Sequence, residues 1–161
     1  VIFCKEACSL KVEARLKELG IEIPAVAKPV AAYVPAVQAE KWVYISGQLP
    51  FRQGKLEKTG KVGKEVTLEE AQVEARQCAI NCIAALRSVA GDLDNVERIV
   101  KVTGFVASAP GFNDQPKVVN GASELLGQVF GEAGAHARAA VGVAELPLNA
   151  CVEVELIALL K

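Results

Sequence analysis

The sequence predicts a two-layer α+β domain, a mixed sheet with two helices on one of its faces. Three observations predict it. Two long segments carry small and apolar residues at helical spacing. Five short runs are rich in Val, Ile and Ala, as strands are. After an N-terminal helix the elements follow in the order β-β-α-β-α-β-β, and an order that mixes hairpins with crossovers suits helices packed on one side of a sheet.

The first helix starts after Ser9, a suitable N-cap, with Leu10, Val12, Leu16 and Leu19 at helical spacing and Gly20 as its stop. Pro24 and Pro29 make the stretch from Ile21 to Val30 an extended linker. Strands are expected over Ala32 to Val37 and Lys41 to Gly47, joined as a hairpin by Gln38-Ala39-Glu40. In the second strand Trp42, Tyr44 and Ser46 face one way, Val43 and Ile45 the other. Phe51 to Glu65, with three glycines and four lysines, reads as a loop.

The clearest element begins at Thr67. Thr67-Leu68-Glu69-Glu70 is a capping box, in which hydroxyl and carboxylate each satisfy a free backbone donor of the helix start. Ala71, Ala75, Cys78, Ala79, Cys82, Ile83 and Leu86 then form one stripe, and Gly91 ends the helix. Ile99 to Ala107 is the next strand. A second long helix runs from about Asn113 through Val119, Ala122, Leu126 and Val129 to Gly131, and strands over Arg138 to Ala144 and Cys151 to Leu160 close the domain. Several strands are apolar on both faces, whereas the helices cover only one. Identical subunits are the simplest cover for the other.

Composition narrows the function. The chain has 161 residues, 52% apolar and 23% charged, with a formal net charge of −1. That length suits one compact domain. No polybasic field exists to hold a nucleic-acid backbone, and no apolar run reaches the roughly 18 to 20 residues of a membrane helix, so neither partner is expected. Five cysteines, an odd number, occur without a signal-peptide pattern, which points to the cytoplasm with organellar import left open. Cys4/Cys8 and Cys78/Cys82 are spaced by four, and His136 stands alone. These read as buried thiols, and neither a metal nor a cofactor is expected.

No phosphate loop, nucleophile elbow or H-E-x-x-H motif occurs. Three places carry possible chemistry. Arg138 begins a strand of small apolar residues, either paired with a surface Glu or, if buried, requiring an anionic partner. Glu153 either faces solvent with Glu155 or, on a covered face, becomes a base with a raised pKa. Ser46-Gly47-Gln48 marks either a turn or a close approach of ligand to backbone.

A longer pattern joins these places. Tyr33, Ser46-Gly47-Gln48-Leu49-Pro50, Val100-Lys101-Val102-Thr103-Gly104-Phe105-Val106, Asn120, Ala137-Arg138-Ala139-Ala140-Val141-Gly142-Val143-Ala144-Glu145-Leu146-Pro147 and Val152-Glu153-Val154-Glu155 follow in order. This pattern resembles the Rid (YjgF) superfamily from about Pro29 to Leu160. The resemblance implies a chorismate-mutase-like fold and a homotrimer with pockets between subunits. It divides the chain into an N-terminal extension with a short helix (1–28) and a single Rid-like α+β domain (29–161). The implied activity is hydrolytic deamination of reactive enamine/imine intermediates of the 2-aminoacrylate type to 2-keto acids and ammonia. By the same resemblance, Arg138 binds the substrate carboxylate and Glu153 positions the attacking water. Tyr33, Ser46, the Gly47 backbone and Asn120 line the pocket. The alternative is a non-catalytic trimer that binds or senses small carboxylates, which needs Arg138 but no water on Glu153. The ribonuclease activity also attached to the family finds little support in a chain with net charge −1, one His and eight aromatics. The chain departs from the pattern at His136, where a proline often stands, in its first 28 residues, in the Phe51 to Glu65 loop and at Gly131-Glu132-Ala133-Gly134.

Overall fold

The computed structural model describes residues 12–26 and 32–161. The expectations for Cys4, Cys8, Ser9, Leu10 and the boundary at 28/29 lie outside the described residues. Helix α1 spans Val12–Glu18 and buries Leu16 against the helical layer. Two contacts fasten this segment. The Val12 N–H donates to Asp94 Oδ1 at 2.8 Å, and Arg87 Nη2 donates to the Ile23 carbonyl at 3.2 Å.

Strands β1 (Ala36–Ala39) and β2 (Trp42–Gln48) form the predicted hairpin, but later in the chain than expected. Ala39 faces Trp42, so the turn is Glu40–Lys41. Pro35 lacks an N–H and contributes only its carbonyl, to the Ser46 N–H at 3.0 Å, and the ladder therefore starts at Ala36.

Helix α2 (Leu68–Ala90) starts and ends as predicted. Thr67 Oγ1 accepts the Glu70 N–H at 3.2 Å, Glu70 Oε2 accepts the Thr67 N–H at 2.9 Å, and the Gly91 N–H caps the Arg87 carbonyl. All seven residues of the predicted stripe are fully buried, and the Cys78 and Cys82 thiols pack against the Val152 and Val154 carbonyls. The buried surface is wider than one stripe and includes two polar residues, Glu74 and Asn81. Both hold the loop that follows β2. Glu74 pairs with Arg52 at 2.7 Å, and Asn81 donates to the Leu49 and Phe51 carbonyls. The 51–65 segment is a loop as predicted, yet Val62 within it is fully buried, bound through its backbone to Ala107 and Ala109.

Strand β3 (Val96–Ala107), helix α3 (Gln115–Phe130), strand β4 (Ala137–Val143) and strand β5 (Val152–Leu160) complete the domain. Helix α3 crosses α2 at Gly121, where a Cβ would run into the Gln72 carbonyl oxygen, so only glycine allows this approach. The five-stranded sheet is mixed, in the order β1-β2-β5-β3-β4, with β3 and β4 parallel. Val43, Ile45, Val102, Val106, Val154, Leu156 and Ala158 face α2 and α3 and are buried. On the other face Trp42 (41%) and Tyr44 (47%) are exposed, together with Val37 and Val141. Both helices thus lie on one face, and the opposite face carries an apolar patch open to solvent.

Candidate functional site

The predicted site residues fall into two groups, one on each face of the sheet. The first forms where β2 meets β5. Ile45 opposes Leu156 and Gln48 opposes Val154, so the ladder shifts between them and Ser46-Gly47 bulges. The bulge turns Gly47 toward Glu153, where a Cβ would overlap the Glu153 carboxylate. The glycine at this position thus makes room for the acid. Ser46 Oγ donates to the Val34 carbonyl at 2.7 Å and ties down the segment that carries Tyr33, itself 48% exposed.

Glu153 opposes Phe105, and Phe105 opposes Val141, so all three share the open face. No hydrogen bond or ion pair reaches the Glu153 carboxylate among the described residues. Burial pushes its pKa up, and the neighbouring Glu155 carboxylate adds to the rise. A carboxyl group in this state can take a proton from water once it is ionised.

The second group sits between β4 and α3. Arg138 pairs in register with Val102, which pairs with Leu156, so its side chain points to the helical face. There Nη1 donates to Asn120 Oδ1 at 2.8 Å and to Ser123 Oγ at 3.1 Å, and Nη2 donates to the Pro116 carbonyl at 3.3 Å. All three acceptors are neutral, and no carboxylate pairs with Arg138 among the described residues. Of the five guanidinium donors, Nε–H and one Nη2–H remain. Paired donors on an uncompensated cation suit a carboxylate.

Arg138 and Glu153 do not meet within one chain. Leu156, level with Arg138, and Glu153 are three residues apart on β5, so they point to opposite faces. Two strand spacings and three residues separate their Cα atoms by roughly 14 Å, beyond the span of a three-carbon acid. Of the predicted lining residues, Asn120 joins Arg138, whereas Ser46 and Gly47 join Glu153, with Tyr33 on the strand lead-in. Ser123 was missing from the sequence reading. Its signal is there nonetheless, because Pro116, Asn120 and Ser123 lie at i, i+4 and i+7 on one helix face.

Among the described residues no group of three His, Cys, Asp or Glu side chains is placed to hold a metal ion. No described helix is long and apolar enough to cross a membrane.

A mixed sheet with helices on one face, an arginine fork at its edge and a carboxylate on its open face defines a small α+β protein of the chorismate-mutase-like class. Residues 13–160 match the family model described as "YjgF/chorismate mutase-like, putative endoribonuclease". The chain belongs to this YjgF family. It is 46% identical over 146 residues to protein TCP17 of Trypanosoma cruzi, covering 90% of this chain and 91% of that protein. It is 33% identical over 141 residues to the 2-iminobutanoate/2-iminopropanoate deaminase of Dermatophagoides farinae, covering 88% and 95%. A solved Shewanella oneidensis structure, described in the same endoribonuclease terms, superposes with a TM-score of 0.90 at 35% identity, covering 93% of this chain and 99% of that one.

Proposed function

We propose that this protein is a hydrolytic deaminase of enamine/imine intermediates of small 2-amino acids, working as a homotrimer whose sites lie between subunits. The observation that carries the reading is Arg138, a half-buried cation held by three neutral acceptors with a pair of donors left over. Such a group calls for an anionic ligand with a planar fork of its own. The kinship with a deaminase of 2-imino acids supports a 2-imino carboxylate as that ligand.

The separation of Arg138 from Glu153 supports a site between subunits, since the exposed apolar face of one copy can bring its Glu153 to the Arg138 edge of the next. The number three comes from the family resemblance. The chemistry follows from the two groups. Arg138 holds the carboxylate and orients the imine carbon. Glu153 takes a proton from water as the oxygen bonds to that carbon and passes it to the imine nitrogen, giving a carbinolamine and leaving Glu153 ionised again. Glu153 then takes the hydroxyl proton and delivers it to the departing nitrogen as the C–N bond breaks, so that ammonia leaves with the 2-keto acid.

The test is to generate 2-aminoacrylate with a separate dehydratase and follow ammonia and pyruvate release with and without this protein. Faster release that disappears in Arg138→Ala is expected. Release at the uncatalysed rate over a wide range of protein concentrations would overturn the reading.

A further inference from the structure

Arg138 is held at Ser123 through a longer chain of hydrogen bonds that ends on His136, the residue found where the family pattern often has proline. His136 Nδ1 lies 2.6 Å from the Gly134 carbonyl, which can only accept, so Nδ1 carries the proton. With one ring proton, placed on Nδ1, Nε2 is the acceptor, and it lies 2.9 Å from Ser123 Oγ. The Ser123 hydroxyl therefore donates to His136 and turns its lone pairs to Arg138 Nη1 at 3.1 Å. With Nδ1 as the protonated nitrogen, each donor in this chain has one acceptor. The far end is rigid as well. Gly134 is buried against α3, where a Cβ would run into the Leu126 carbonyl, so the carbonyl that fixes the histidine is itself fixed.

We propose that Ser123 and His136 are positioning residues for Arg138, setting the guanidinium plane so that its unused Nε–H and Nη2–H face the ligand together. Asn120 and Pro116 alone leave the group free to rock about the Nη1–Nη2 edge. The third contact removes that freedom, but only while the Ser123 proton points to His136. The inference rests on the reading of Arg138 as a carboxylate anchor.

Two measurements test it, with 2-oxobutanoate as the probe. The chain has one histidine, so long-range 1H–15N spectra of the untagged protein report the His136 tautomer without overlap. The Nδ1-protonated form is expected in the wild type, with a changed Nε2 resonance in Ser123→Ala and recovery in Ser123→Thr, which restores the hydroxyl. In calorimetric titration, Ser123→Ala is expected to bind about tenfold more weakly, as loss of one hydrogen bond to a charged group implies. Ser123→Thr should recover most of this loss. His136→Asn keeps a donor for Gly134 but is too short to place an acceptor at the Nε2 position, and combined with Ser123→Ala it should add little, because both break one chain. Wild-type affinity in Ser123→Ala, alongside lost binding in Arg138→Ala, would overturn the positioning role and leave the anchor intact. An Nε2-protonated tautomer in the wild type would also overturn it. If Arg138→Ala binds the probe as the wild type does, or the wild type does not bind it, the anchor falls and the inference with it.

Discussion

Glu153→Gln separates catalysis from binding most sharply. Glutamine keeps the size of the side chain and cannot act as a base. Its structural cost is small, because no described hydrogen bond or ion pair depends on the Glu153 carboxylate. Within one chain Arg138 lies on the other face of the sheet, so any pairing of the two groups runs across the proposed subunit interface, where lost ligand affinity would reveal it. Loss of proton transfer should cost roughly 10²- to 10⁴-fold in rate, or about 2.7–5.4 kcal/mol of barrier. Stability moves the other way. Burial and Glu155 raise the Glu153 pKa above its ordinary 4.5, so the folded state holds this proton more tightly than the unfolded chain does. The stability tied to that proton is full below the ordinary value and is lost as pH rises through the raised one. Glu153→Gln should therefore be more resistant to urea than the wild type at pH 7, with the difference vanishing at low pH. The acid limb of the wild-type kcat/KM profile, set by ionisation of Glu153, should be absent from whatever activity remains. The assay is ammonia release from 2-aminoacrylate, paired with calorimetric titration of 2-oxobutanoate. Unchanged turnover with unchanged ligand affinity would remove Glu153 from the mechanism.

Other outcomes follow from the same geometry. Arg138→Lys should lose as much ligand affinity as Arg138→Ala, because an ammonium has three donors and α3 offers three acceptors, leaving no fork; near-wild-type binding by the lysine variant would refute this. Light scattering at micromolar concentration should return a trimer, since Trp42, Tyr44 and Val141 remain open on a single chain, and a monomer would contradict the intersubunit site. Cys78, Cys82 and Cys151 should resist alkylation at pH 8 until the protein unfolds. All three are fully buried, and burial pushes the Cys151 thiol up to about 12; rapid native-state labelling, mapped by mass spectrometry, would argue against the packing. Arg52→Ala should cost about 3 kcal/mol in urea unfolding, because it strands the buried Glu74 carboxylate, whereas a loss under 1 kcal/mol would show that water reaches this acid.

Short-range chemistry made much of this fold legible from the residues alone. A capping box satisfies donors within one turn, so Thr67 and Glu70 place the start of α2, as Gly91 places its end. Alternation along Trp42 to Ile45 assigned the two sheet faces because strand geometry has a period of two. The hairpin was visible as a hairpin, but its bounds were not, since they depend on which backbone groups Pro35 leaves available to Ser46. Val62 looked like one residue of a polar loop. Only its docking onto the end of β3 buries it. Arg138, Glu153 and Gly47 could be picked out as residues by their chemistry and their pattern. Their arrangement could not, because it follows from the insertion of β3 between β4 and β5 and from the register of those pairings. Registers are set by contacts between segments far apart in the chain, which no local window contains. That long-range pairing puts Arg138 and Glu153 on opposite faces and joins Ser123 and His136 to the arginine.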